Sequence, residues 1–566
     1  MSTKIALVTS VLVVLCFLVA ACAPVATPTP TEAPPPPEAT LTLPPEPPPT
    51  PSKVLTRPMV VCAVSEAVTM DPHANDYGYS RTVQTGPYEA LLRWEEQPGG
   101  TWAPGPNLAK SWEISDDGLE YTFYLEKGVK FSDGTPFNAE AVRWNFERLG
   151  ALGLQPSMKV YAAADLRVEV IDDYTVKVTL PESYAPFIYQ MIQNPMFISP
   201  TAAEAHEEEG DYGEHGDYAQ AWLYENAVGT GPYLLEEWLH GESATLVKSP
   251  DYWRGWEGNH LESVVVKIVG EEATRKMMIQ GRECDLTYQL SSTDIPELEA
   301  DPNVAIWERP GIDVMTIQTR PRGPFADKRV RKAVALAFDY DSFANDILLG
   351  RAVPANGPLI PVEFGWDSAL PPFKRDLDKA KELMAEAGYP DGIEGDQEMW
   401  IIPAFMWFLR SEAELLQANL ADIGINVKIV EFGEPAPWLA GVFDPDVEKQ
   451  PTFFAWNWGG RTGDPDSNLR DMYHSSKIPP EGMNGAFYSN PEVDRLLDEG
   501  VKEPDPEKRA AIYEEVQRIL IEDQPFFWLA YQKTYFFQSK ELKGYVLPPL
   551  QEWYFSSYYD MWLEAE

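Results

Sequence analysis

The chain has 566 residues, 44% hydrophobic and 12% aromatic, enough for two or more domains with sizeable cores. Its formal net charge is −43, from 88 acids against 45 bases. That excludes a nucleic-acid partner, which a polyanion would repel, and a basic patch that lies on a membrane surface.

Residues 1–22 read MSTKIALVTSVLVVLCFLVAAC. Lys4 supplies a sparse positive start, Ile5 to Val19 an uncharged and mostly apolar core, and Ala20-Ala21 small residues before Cys22. This is the layout of an export signal, and the apolar run is short for a membrane span, which needs about 20 residues. Val19-Ala20-Ala21-Cys22 resembles the lipobox of bacterial lipoproteins, with valine where leucine is commonest. The resemblance implies that Cys22 is lipidated and becomes the mature N-terminus, tethering a soluble body to a bilayer. Residues 23–54 begin APVATPTPTEAPPPPEAT and stay proline-rich and poor in large apolar side chains, so they cannot bury a core. They read as an extended stalk, rising about 3.1 Å per residue where polyproline II forms.

The folded body starts at residue 55. MVVCAV (59–64) reads as a buried strand, followed by the polar loop TMDPHANDYGYS. YTFYLEKGVKF (121–131) reads as a strand. NAEAVRWNFERLG reads as a helix capped by Asn138, with Ala139, Val142, Phe146 and Leu149 on one face and Gly150 as its stop. LRVEVIDDYTVKVTL alternates like a hairpin that turns at Asp172-Asp173. Further on, DKAKELMAEAGY reads as a helix stopped at Gly388, EMWIIPAF as a buried strand, and SEAELLQANLADIGINVKIVEF as a helix stopped at Gly424 and then a strand. Strand, helix, strand in that order predicts a partly parallel sheet. The long helix DPEKRAAIYEEVQRILIEDQ precedes a final strand, PFFWLAYQKTYFF. The class is α/β to α+β, in two lobes.

Four cysteines occur, at 16, 22, 62 and 284, with no metal-ligand spacing. Cys62 and Cys284 are expected to be buried free thiols, with a disulfide as the alternative in an oxidising compartment. Nucleotide P-loop, H-E-x-x-H and G-x-S-x-G motifs are absent from the sequence, so the chain is not expected to be an enzyme. Asp464, Asp466 and Asn468 start like a calcium loop, but Leu469 stands where glycine is needed and Ser475 where a bidentate glutamate is needed. No cofactor or metal is expected.

LAKSWEISDDGLEYTFYLEKGVKFSDGTPFNAEAVRWNFERL (108–149) resembles the signature of the family 5 extracytoplasmic solute-binding proteins, the oligopeptide-, dipeptide- and nickel-binding components of ABC importers. MDPH (70–73), GTGPYLLEEW (229–238), PDYWRG (250–255), RGPFADKRVRKAVALAFDYD (322–341) and YSNPEVDRLLDEG (488–500) follow in the family's order. The resemblance covers essentially everything after residue 55. It implies a two-lobed type II periplasmic-binding-protein fold: lobe I from 55–94, 227–310 and 527–566, an inserted domain at 95–226, and lobe II at 311–526. It implies a monomeric receptor that closes over a peptide or other small molecule between its lobes, then docks on a membrane permease powered by a separate ATPase. The expected location is extracytoplasmic and lipid-anchored.

In peptide-binding relatives the segment matching WNWGGRTGDPDSN (456–468) lines the cleft, and an aspartate three residues after the tryptophan pairs with the peptide's amino group. Trp458, Gly459 and Gly460 match, but Arg461 stands at the aspartate position. A buried cation there would repel an ammonium and grip a carboxylate or phosphate instead. Alternation along a strand puts Trp456 and Trp458 on one face, with Asn457 opposite. Arg461 can equally pair with a nearby acid of the chain, and one tryptophan can simply be core. Asp464 reads as a helix cap. Tyr77, Tyr79, Trp438 and Tyr531 complete the candidates for ligand contact, each open to a core or surface role. The ligand class stays open between a peptide-like solute and an oligosaccharide or other neutral or anionic solute.

Overall fold

The apolar runs of the sequence become strands, and eleven of them join into one mixed sheet. The computed structural model describes residues 54–75, 78–97, 102–154, 156, 160–403, 406, 408–459, 463–546 and 557–565. The leader, Cys22, the stalk through residue 53, Tyr77, Gly460 and Arg461 lie outside the described residues. Among the described residues no helix is long and apolar enough to cross a membrane.

In chain order the strands are β1 (Met59–Ala63), β2 (Leu92–Glu96), β3 (Trp102–Pro106), β4 (Ala109–Ile114), β5 (Glu120–Leu125), β6 (Arg167–Asp172), β7 (Thr175–Thr179), β8 (Tyr233–Leu239), β9 (Ser243–Lys248), β10 (Ser263–Ile268), β11 (Leu286–Tyr288), β12 (Val304–Thr319), β13 (Ala352–Pro354), β14 (Ile393–Ile401), β15 (Ile425–Glu431), β16 (Phe453–Gly459), β17 (Phe526–Ser539), β18 (Leu542–Lys543) and β19 (Trp562–Leu563). The large sheet runs β15-β14-β16-β12-β17-β11-β1-β10-β9-β8, with β13 also on β17. β14 is parallel to β15 across the helix Leu409–Ala421, as strand, helix, strand predicts. The hairpins of the 95–226 segment make a separate four-stranded sheet, β4-β5-β7-β6.

Two long strands tie the halves of the large sheet together. β12 and β17 pair antiparallel from Val304 opposite Ser539 to Gln318 opposite Phe526. One end of this ribbon packs into a core with Met59, Val61, Leu246 and Leu563, the other into a core with Val334, Met399, Leu416 and Ile425. A third core joins the 95–226 segment, through Phe123, Phe146 and Phe187, to Leu469, Tyr513 and Trp528. The Ala185 amide donates to the Val501 carbonyl at 2.8 Å, so this segment touches the 311–526 segment directly.

Two motifs that are far apart in the sequence meet through one ion pair. Asp71, of MDPH, is fully buried and takes both Arg148 guanidinium nitrogens, at 2.9 and 2.6 Å. Burial pushes the Asp71 carboxyl up, but Arg148 wins and holds it below its ordinary range.

Two readings need correction. Cys62 and Cys284 are not free thiols: they form a disulfide with Cα atoms 5.9 Å apart. The reason is topological, because β1 and β11 are parallel neighbours although 222 residues separate the two cysteines. The helix from Ala139, capped by Asn138, does not stop at Gly150. It runs to Leu152 and ends at Gly153 in the left-handed region, φ 58°. Gly150 serves packing instead, since a Cβ there would lie 2.5 Å from the Ala163 carbonyl oxygen.

One core side chain makes a pH-dependent stability expected. Glu412, on the helix Leu409–Ala421, is 1% exposed, and burial pushes its carboxyl up to about 8. The folded chain then holds this proton where the unfolded chain, above about pH 4.5, has released it, so stability falls as pH rises from about 4.5 to 8. Glu412→Gln removes that fall. Urea unfolding at pH 5 and pH 8 should show the variant's stability relative to the parent rising by roughly 3 kcal/mol between them. A constant difference would contradict the assignment.

Candidate functional site

The site lies where the sheet changes direction. β1 and β11 run parallel in one half, β14 and β16 in the other, and the β12–β17 ribbon separates them. Crevices outside the carboxyl ends of strands, at such a switch point, are where open α/β sheets bind ligands.

A cavity of about 330 Å³ opens there. Gln289 and Ser292 line it from beyond β11, Met406 from beyond β14, Asn457 from β16, and Asp313 and Gln532 from the two crossing strands. A shift in the β12–β17 register between Pro310 and Val314 creates the bulge that carries Asp313. The bulge needs glycine at 311, because a Cβ there would sit 2.4 Å from the Gln532 carbonyl oxygen. Asp313 then pairs across the ladder with Gly459, and Met315 with Asn457.

The lining mixes polar groups with the apolar side chains of Leu290, Met406 and Phe536 and carries little net charge. Asn457 Nδ2 donates to Met406 Sδ at 2.9 Å, fixing the amide at the cavity wall. Lys533 also lines the cavity, but its ammonium is engaged by Glu308 at 2.7 Å. Side-chain amides from Gln289, Asn457 and Gln532, with the Ser292 hydroxyl, offer both donors and acceptors to an uncharged polar backbone.

The tryptophans occupy the other face of β16, as alternation predicts. Trp456 and Trp458 are half-buried and stack with centroids 6.3 Å apart and planes 20° apart. Trp438, from the helix Pro435–Val442, continues the stack against Trp456 at 5.6 Å and 17°. Trp438 is 1% exposed and so belongs to the wall behind the stack. Trp456 Nε1 is buried and has no hydrogen-bond partner among the described residues.

Asp464 caps the helix Pro465–Tyr473, accepting from the Asp466 amide at 3.0 Å. Its carboxylate also takes both terminal nitrogens of buried Arg509, one at 2.7 Å. Glu363 lies near this pair. Burial pushes its carboxyl up to about 8, and the Asp464 and Asp313 carboxylates push the same way.

Tyr531 is buried opposite Val314 on β12. Its hydroxyl accepts from the Asn356 and Gly357 amides, at 3.2 and 3.1 Å, and donates to Asn356 Oδ1 at 2.6 Å. Tyr79 is half-buried on the helix Gly78–Gln84, against the Met59 core. Of the candidates named from the sequence, Trp456, Trp458 and Gly459 come together on β16, and Tyr531 packs into the same core as the two tryptophans, with Val314 as the cross-strand neighbour of both Trp458 and Tyr531, while Tyr79 sits in a separate core. Sequence reasoning missed Gln289, Met406, Asp313 and Gln532. No local motif marks them, because two loops, a bulge and a strand far apart in the chain bring them together.

Comparisons with known proteins agree with this architecture. A family model described as bacterial extracellular solute-binding proteins, family 5 Middle, matches residues 103–480. A probable D,D-dipeptide-binding periplasmic protein of Escherichia coli (strain K12) is 30% identical over 514 residues, covering 88% of this chain and 93% of its own. Heme-binding protein A of Haemophilus influenzae is 32% identical over 465 residues, covering 78% of this chain and 82% of its own. The solved structure of HbpA2 from Haemophilus parasuis superposes with a TM-score of 0.79 at 26% identity, covering 90% of this chain and all of that one.

Proposed function

Because the chain belongs to the bacterial extracellular solute-binding proteins of family 5, which are binding receptors and not enzymes, we propose that it captures a peptide-like solute between its lobes and delivers it to an ABC import permease. The observation that carries this reading is the cavity at the carboxyl ends of β11, β14 and β16, where amide and hydroxyl side chains stand beside Leu290, Met406 and Phe536. Its volume of about 330 Å³ falls at the lower end of the ~300–1,000 Å³ range of small-molecule sites. Side-chain amides match the alternating donors and acceptors of a short peptide, and the relative named for D,D-dipeptides supports that class.

A second reading is an oligosaccharide. The Trp456–Trp458 stack favours it, because flat apolar faces suit sugar rings. In either reading Arg461 sets the polarity: its cation favours a neutral or anionic group where an ammonium would be repelled. Calorimetry on the best binder from a thermal-shift screen of short peptides and oligosaccharides tests this. A binder at a hundredfold excess over Kd stabilises by about 2.7 kcal/mol. Arg461→Asp should then weaken that binder by about 2 kcal/mol, and Arg461→Ala by less. Equal affinity in all three proteins makes Arg461 a structural cation and ends the polarity argument. A screen without any peptide or sugar binder ends the proposed ligand classes.

The receptor is held at the membrane through lipid on Cys22, with residues 23–54 as its stalk, and acts as a monomer in the extracytoplasmic space. The Val19-Ala20-Ala21-Cys22 run supports the anchor. Cys22→Ser should release the protein from the membrane fraction or leave its leader uncleaved. Unchanged membrane retention together with unchanged cleavage would contradict lipidation.

A further inference from the structure

A second cavity, of about 160 Å³, shares no lining residue with the first. It sits where the helix Gly78–Gln84, the β2–β3 hairpin, the 192–196 loop and the C-terminal segment meet. Two of its lining side chains hold polar atoms that are buried and have no hydrogen-bond partner among the described residues: Thr85 Oγ1 and Trp94 Nε1. Thr85 is 4% exposed and Trp94 5% exposed. An indole N–H can only donate, so what the site lacks is an acceptor. A buried donor without an acceptor costs about 1–3 kcal/mol.

The charges around the cavity say which kind of acceptor. Arg81, Arg93 and Arg254 line it, against Glu89 and Asp560. Three cations against two acids leave the lining one positive charge in excess, and Arg81 already donates to the Gln193 carbonyl and Asn194 Oδ1. The Glu89 carboxylate is already occupied, by the Tyr252 hydroxyl at 2.9 Å and the Trp253 indole at 3.0 Å. Burial pushes its carboxyl up, while Arg254 and these two hydrogen bonds pull it down. Asp560 is exposed, where water screens it. Arg254 is held in place by donating to Asn107 Oδ1 and by lying over the Trp253 ring at 4.8 Å.

We propose that this cavity binds a small oxyanion, a carboxylate or phosphate group, separately from the solute in the cleft. Thr85 and Trp94 donate to its oxygens, and Arg93 and Arg254 balance its charge. Water alone can fill the volume, at about 30 Å³ per molecule, and can accept from Trp94, but it brings no negative charge to the guanidinium groups.

The test is a thermal melt of the full chain in chloride, acetate, succinate and phosphate at one ionic strength. At least one oxyanion should raise Tm above chloride in a saturable way, and the carboxylate and phosphate arms show which group is preferred. Trp94→Phe keeps the ring and removes the donor, and it should raise the apparent Kd for that anion about tenfold. Arg93→Met, at a half-exposed position, should do the same and covers the case in which Trp94→Phe folds poorly. Identical melts in chloride and every oxyanion overturn the proposal in favour of water. Stabilisation that both variants retain in full overturns it too, because the ion then binds elsewhere.

Discussion

The antiparallel pairing of β12 with β17 is the constraint on which the rest of the structure depends. These two strands are the backbone link between the half of the sheet built on β1, β10 and β11 and the half built on β14, β15 and β16. A ladder of backbone hydrogen bonds resists shear along its length, but a bulge interrupts it and bends it locally. The interruption falls at 311–313, at the point of crossing. Gly311 permits the close approach of Gln532, Asp313 and Gln532 face the cavity, and β16 aligns on the same ladder to bring Asn457 there. Bulge and cavity wall are thus one piece of chain, so any movement of one half of the sheet against the other would change the shape of the cavity.

Buried ion pairs hold the pieces around this ribbon. A buried charge pair contributes little net stability, yet removing one partner is costly, because it strands the other charge in a low-dielectric interior. Asp71–Arg148 ties the loop after β1 to the helix Ala139–Leu152, and Asp464–Arg509 ties the turn after β16 to the helix Pro506–Asp523. Each pair therefore specifies which elements meet more than it adds to stability. Other buried arginines, such as Arg320 and Arg331, donate to backbone carbonyls instead.

Much of the fold is legible in the sequence because its signals are local. Alternation shows the two faces of β16, apolar runs show β1 and β14, and Asn138 and Asp464 announce their helices. The misreadings come from long-range facts. Cys62 and Cys284 become neighbours only once β11 lies beside β1, and Gly150 is required by a carbonyl thirteen positions on rather than by a turn. The cavity is the least legible feature. Asn457 is half-visible, as the residue facing away from two tryptophans, but Gln289, Asp313 and Gln532 have no periodicity or motif to mark them. Their common position is a property of sheet order, which no single window of sequence contains.

In the proposed account the cleft closes on its solute about the β12–β17 crossing. Small-angle scattering of the full chain, with and without a saturating concentration of its tightest-binding short peptide, tests that most directly. The account predicts a smaller radius of gyration with peptide bound. An unchanged radius at saturation, with binding confirmed in the same sample, would contradict it.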